Sequence, residues 1–228
     1  MFLTLSYHII NRAISDRIAI SEEAFEQQLE YLRVHGYTTL SLEQVIADIN
    51  GKQDAPPRSL LLTFDDGYAD NAKVVLPLLQ AYDMHATLFI ITGYIGQSNR
   101  WNTRACYDTQ HMTWDEVRRW HASGNDVGGH SHLHHCMTRL SYGELQETVL
   151  LNKRLLEKES GITPRAFAYP YGRFNQTIID VIRQHYEIAF ATDDGEWNAS
   201  VHPYVINRLT ISPMWTIEEF VRSLCSAR

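Results

Sequence analysis

Leu60-Leu61-Leu62-Thr63-Phe64 and Ala86-Thr87-Leu88-Phe89-Ile90-Ile91 are apolar at nearly every position rather than every second one. A strand that reads this way is covered on both faces, which is the signature of a parallel sheet packed between helices. Parallel strands need a crossover between them, so helices must intervene. The chain provides them. Ser21 opens a helix that keeps Phe25, Leu29 and Leu32 on one face and ends at Gly36. Ser41-Leu42-Glu43-Gln44 and Thr113-Trp114-Asp115-Glu116 are capping boxes, and Ser141, Asn175 and Thr216 cap three further helices. A helix over about 69–82, with Pro77 as a kink, completes the set. Strands are expected at 2–7, 38–40, 59–65, 86–92, 126–130, 166–170, 188–192 and 204–211, and a long polar and aromatic loop at 93–112. The strand–helix unit recurs about seven times, with no internal sequence repeat and no low-complexity linker. The expectation is a single α/β domain over residues 1–228, barrel-like or doubly wound.

Right-handed crossovers put the C-terminal ends of parallel strands on one face, where ligands collect. His8, Asp65 with Asp66, the run after Gly129, and Tyr171 all fall at such ends. Adjacent carboxylates repel, and a cation or a shared proton is the usual remedy; a solvated Asp-Asp-Gly turn is the plain alternative. Of eleven histidines, His130, His132, His134 and His135 lie within six residues. His130 and His134 are one helical turn apart, and two imidazoles with a carboxylate form a common catalytic zinc set. By spacing alone His132 and His135 are an equal pair. Pro170 lacks an N–H, which leaves the Tyr171 N–H as a candidate oxyanion donor, against a simple βα turn. His8 is a candidate proton donor to a leaving group, against a structural histidine.

Net charge of −7 without a basic run argues against nucleic-acid binding. No apolar stretch nears the about 18 residues of a membrane span. Met1–His8 lacks a basic start and a long apolar core, so a cytoplasmic protein is expected, with an exported form open if a leader has been removed. Cys106, Cys136 and Cys225 form no CxxC pair, which supports neither a zinc ribbon nor a disulfide framework.

These residues carry a family resemblance. Thr63-Phe64-Asp65-Asp66-Gly67-Tyr68 resembles the first motif of the polysaccharide deacetylases, the NodB-homology superfamily or carbohydrate esterase family 4. His130-Ser131-x-x-His134 resembles the second, and Tyr169-Pro170-Tyr171-Gly172 the third. The N-terminal Tyr7-His8 and the helix from Phe25 to Gly36 are similar to the permuted subgroup that deacetylates poly-N-acetylglucosamine. The resemblance implies a single-domain distorted (β/α)7 barrel and a metal-dependent amide hydrolase that releases acetate from an N-acetylated sugar or glycan. It implies Asp66, His130 and His134 as ligands of a divalent metal, Zn2+ first, with Co2+, Ni2+ or Fe2+ as alternatives. Asp65 would be the base, His8 the acid, and the Tyr171 N–H part of the oxyanion site. Tyr94, Trp101, Tyr171 and Trp197 offer flat faces for a sugar ring. Two departures stand out. The arginine that orients the base in the family is Ala168 here, with Arg208 as the candidate substitute against an ordinary salt bridge. No C-terminal Leu-x-x-His follows, so the acid role rests on His8. The other readings are the same machinery on an O-acetyl ester, small amide or cyclic imide, and a silent carbohydrate-binding protein.

Overall fold

The computed structural model describes residues 2–14, 16–99, 109–192 and 202–226. In chain order the elements are β1 (Leu3–Tyr7), β2 (Ile9–Ile10), β3 (Ala19–Ile20), α1 (Glu22–Val34), β4 (Thr38–Thr39), α2 (Leu42–Ile49) and β5 (Ser59–Phe64). There follow α3 (Leu76–Ala81), β6 (Ala86–Ile90), α4 (Trp114–Ala122), β7 (Asp126–Gly129), α5 (Tyr142–Ser160) and β8 (Ala166–Ala168). The last are α6 (Gln176–Ile182), β9 (Ile188–Phe190), β10 (Leu209–Thr210) and α7 (Ile217–Ser226).

The strands run parallel in the order β10-β1-β5-β6-β7-β8-β9, with β4 paired to the start of β5. The ring closes through the segment leading into β10. Ile206 bridges Phe190, with Ala191 N–H donating to Ile206 O at 2.8 Å and Ile206 N–H to Ala189 O at 3.0 Å. Three residues later Leu209 pairs with Leu5. This closure makes the fold a distorted (β/α)7 barrel rather than an open doubly wound sheet.

The apolar runs are buried on both sides, as their composition requires. Leu5, Tyr7, Leu60, Leu62, Phe64, Leu88 and Ile90 pack with Phe25, Leu29, Val117, Trp120 and Phe220 of the helices. On the opposite face Leu61, Phe89, Ala166, Ala168, Phe190 and Ile206 fill the barrel with Val45 and Ile46 of α2. The first N–H of α2, at Leu42, donates to Asp126 Oδ2 at 2.7 Å, which ties α2 to the start of β7. Each fully buried leucine or phenylalanine contributes about 1.5–3 kcal/mol.

Four local expectations need correction. The segment 69–82 is helical from residue 69 to 81, as expected, but not α-helical throughout: a π-helical turn, Asn71–Val75, runs directly into α3, and Pro77 follows it. The backbone stays helical through Val75 and Leu76, so the proline lies within a continuous helical path and not at a free helix start. Residues 204–211 form only β10 and the Ile206 bridge, and α6 ends at Ile182, not His185. β8 ends at Ala168, two residues before the proline. β2 and β3 pair with each other in a stretch without readable periodicity.

Phe89 lies inside the ring, 5.4 Å from the Phe190 ring centroid and under the Arg208 guanidinium at 5.6 Å. Phe89→Ala should lower unfolding free energy by about 3–5 kcal/mol, measured by chemical denaturation.

Candidate active site

β5 delivers Asp65 and Asp66 to the strand-end face, and each is only 2% exposed. Asp65 N–H donates to Tyr7 O at 2.9 Å, which extends the ladder by one residue. Both carboxylate oxygens of Asp65 then accept from Arg208, Nη1 to Oδ1 and Nη2 to Oδ2, each at 2.7 Å. Arg208 is itself buried, and donates further to Ala191 O (2.9 Å) and Thr63 Oγ1 (3.2 Å). The guanidinium therefore reaches the carboxylate from the β10 side, while Ala168 is buried apolar lining on β8. Burial alone would raise the Asp65 pKa, but Arg208, with His130 and His8, outweighs it and holds the group below the usual range. His8 Nε2 stands 4.0 Å from Asp65 Oδ2.

Asp66 adopts a left-handed conformation, φ 72°, and faces a different set of groups. Its Oδ1 lies 3.4 Å from His130 Nε2 and 3.4 Å from His134 Nε2. That oxygen is buried without a hydrogen-bond partner. One donor atom from each of the three residues falls within 4.8 Å of the others. An orphaned carboxylate oxygen facing two imidazole nitrogens fits a divalent cation. The His130 Nδ1 lies 2.8 Å from Ala168 O, which makes Nδ1 the protonated nitrogen and turns the Nε2 lone pair toward Asp66. Burial opposes charge on Asp66, but His130 beside it outweighs that and keeps its pKa below the usual range. Burial pushes His134 down to about 3, so it is neutral and ligand-ready. Burial works against charge on His130 too, but Asp65 and Asp66 outweigh it and raise its pKa. Two buried carboxylates beside one guanidinium leave one negative charge over, so this position favours positive charge, either a cation or a proton on His130.

The two candidate ligands His130 and His134 do not lie on a helix, as their spacing suggested. They come from a loop with left-handed residues at Ser131 (φ 64°) and His134 (φ 56°). Ser131 Oγ accepts from His134 N–H at 3.0 Å, and Ser131 O accepts from Asn152 Nδ2 at 2.6 Å. Asn152 also donates to Ile90 O at 2.9 Å, and its Oδ1 accepts from Tyr186 O–H at 3.2 Å. A Cβ on Gly129 would come within 2.5 Å of both Asn152 Oδ1 and Tyr186 Oη, so this glycine lets the strand approach the brace. His132 is tied to Thr92 Oγ1 at 3.0 Å and His135 is exposed; neither belongs to the ligand group.

Tyr171 occupies a turn, Pro170–Gly172, at φ 60° and ψ 15°. Its half-exposed ring lies 4.6 Å from the His134 ring. Tyr94 packs at 5.8 Å on His111, which stacks at 4.9 Å on Tyr68. Trp101 and Trp197 lie outside the described residues. Among the described residues no helix is long and apolar enough to cross a membrane. Sequence reasoning missed Asn152 and His111, whose Nδ1 is 3.0 Å from Asp66 O. The first had a signal: it shares the buried face of α5 with Leu145, Val149 and Leu156. The second had none.

A sequence model described as polysaccharide deacetylase matches residues 52–186. YxkH of Bacillus subtilis (strain 168) is 26% identical over 210 residues, covering 92% of this chain and 71% of that protein. The poly-beta-1,6-N-acetyl-D-glucosamine N-deacetylase of Staphylococcus aureus is 26% identical over 204 residues, 85% of this chain and 68% of that one. Among solved structures, the Streptococcus pyogenes deacetylase PplD in complex with acetate superposes with a TM-score of 0.84 at 25% identity, covering 97% of each chain. IcaB from Ammonifex degensii shares the fold, with a TM-score of 0.82 at 24% identity over 99% of this chain and 96% of that one.

The charge balance yields a pH dependence. Below the raised pKa of His130, a cation must displace a proton to bind. Zinc affinity should therefore fall with decreasing pH, by about tenfold per pH unit in that range. Chelator competition from mildly acidic to mildly basic pH measures it, and a flat profile would contradict the assigned protonation.

Proposed function

Because the chain belongs to the polysaccharide deacetylase family, and is a hydrolase of that class, we propose that it removes N-acetyl groups from an N-acetylated sugar or glycan of the poly-N-acetylglucosamine type, with acetate and a free amine as products. The observation that carries this reading is the segregation of the two carboxylates, Asp65 onto Arg208 and Asp66 onto two imidazoles. A lone acidic turn has no use for two separate neutralising sets; hydrolysis of an amide does. Asp66, His130 and His134 would hold the divalent ion, Zn2+ in the first instance. Such an ion supplies an acidified water and a polarised acyl oxygen.

The remaining residues divide the proton work. Asp65 is off the ligand set and takes a proton from the attacking water. Arg208 engages both of its oxygens and so fixes the carboxylate plane and keeps it ionised. Its lowered pKa makes Asp65 a weak base, suited to water that is already acidified. His8, 19% exposed, donates to the departing nitrogen, without which an amine anion would have to leave. The Tyr171 N–H steadies the developing oxyanion, and its half-exposed ring, with Tyr94, offers apolar surface to a sugar. The S. aureus relative is named for deacetylation of poly-beta-1,6-N-acetyl-D-glucosamine, which supports this substrate class.

An acetate-release screen of the zinc-loaded protein over N-acetylglucosamine and its β-1,6-linked oligomers tests the proposal. Release from oligomers is expected; no release from any of them, with release from simple aryl acetates or small amides, would move the substrate elsewhere. Asp65→Asn should lower kcat by about two to four orders of magnitude while zinc content is retained. Near-normal turnover in that variant would remove Asp65 from the role of base.

A further inference from the structure

We propose that Asn71 and Asp70 are positioning residues for His8, holding it through the backbone on either side. This rests on the reading of His8 as the acid, and its test separates the two.

His8 occupies the single-residue gap between β1 and β2. Its Nε2 must be held near the Asp65 carboxylate, now 4.0 Å away. Among the described residues no hydrogen bond reaches the His8 ring, so its aim depends on the backbone that carries it. Two side chains grip that backbone. Asn71 Nδ2 donates to His8 O at 2.9 Å, and Asp70 Oδ2 accepts from Ile10 N–H at 2.5 Å. Both residues are buried. Ile9, between the two anchor points, is fully buried against Tyr68 and Ala19. The segment is thus held at residues 8, 9 and 10 in succession.

The two anchors come from adjacent residues of one helical path and reach atoms two residues apart on the facing segment. Here the chain enters a π-helical turn at Asn71, and such turns recur at functional sites. Asp70 and Asn71 are four and five residues past Asp66. One continuous segment therefore carries the base, the metal-facing carboxylate and the brace for the acid. A proton donor must stand within hydrogen-bond reach of the departing atom. A misplacement of about 1 Å can cost about a hundredfold in rate.

The test uses the leaving group. An N-acetyl substrate needs a donated proton to lose its amine; an aryl acetate with an acidic phenol does not. Asn71→Ala and Asn71→Leu both delete the donor, and the second keeps the side-chain size. In the zinc-loaded enzyme each should lower kcat/KM on β-1,6-N-acetylglucosamine oligomers by about tenfold to a hundredfold, and on the aryl acetate by no more than about threefold. His8→Ala should show the same selectivity, more strongly. On the oligomers, His8→Ala with Asn71→Ala should be no slower than His8→Ala alone, because both remove one function. Equal losses of Asn71→Ala and Asn71→Leu on both substrates, no loss on either, or additive losses in the double variant would overturn the brace. If His8→Ala itself loses equally on amide and ester, the acid assignment fails, and the Asn71 results then read only as structure.

Discussion

Everything at the strand-end face answers to one constraint: two neighbouring carboxylates are buried together at the end of β5. Unit charges about 4 Å apart repel by about 4 kcal/mol at an effective dielectric of about 20, and burial adds a desolvation cost for each. The protein meets this by giving each group its own neutralising set. Arg208 grips both oxygens of Asp65, while His130 and His134 face one oxygen of Asp66. Segregation of that kind leaves the pair with different chemistry despite identical side chains. One carboxylate is paired with a guanidinium through both oxygens and kept ionised. The other turns a buried oxygen without a hydrogen-bond partner toward two imidazole nitrogens, a set that could hold a cation.

The geometry is maintained against local cost. Among the described residues, six that are not glycine have positive φ, and four of them are Asp66, Ser131, His134 and Tyr171. Conformations of this kind cost about 1–3 kcal/mol each and persist where the surroundings over-determine them. Those surroundings are identifiable: Asn152 on the Ser131 carbonyl, Ser131 Oγ on the His134 N–H, His111 against the Asp66 carbonyl. Strain is concentrated where the candidate metal-holding groups converge.

The parts of the fold that were legible in sequence are those with a one-dimensional signature. Continuous apolar runs announced buried parallel strands, and hydroxyl caps announced helix starts, down to the capping boxes at Ser41, Thr113 and Ser141. Asp65, Asp66, His130 and His134 stood out because clustered charge or imidazole beside an apolar run is chemically conspicuous. Ring closure was not legible, since it depends on two hydrogen bonds around Ile206 and a two-residue strand. Nor was the π-helical turn, because side-chain spacing does not distinguish one extra residue in a helical path. Arg208 was legible only through the family resemblance, as the candidate to replace the arginine missing at Ala168, and the structure does bring it onto Asp65. Which distant residue fills a gap is decided by three-dimensional packing, and no spacing rule encodes it.

Arg208 and Asp65 are separated by 143 residues of chain. The arginine leads directly into β10, the strand that closes the ring. Before that strand docks, Asp65 is a carboxylate at the mouth of an unfinished barrel. Breaking such a buried pair by withholding one partner costs about 3–5 kcal/mol. A barrel left open between β9 and β1 is therefore penalised in its core as well as along its unpaired edges. Ring closure and the orientation of the Asp65 carboxylate are thereby coupled through a single side chain.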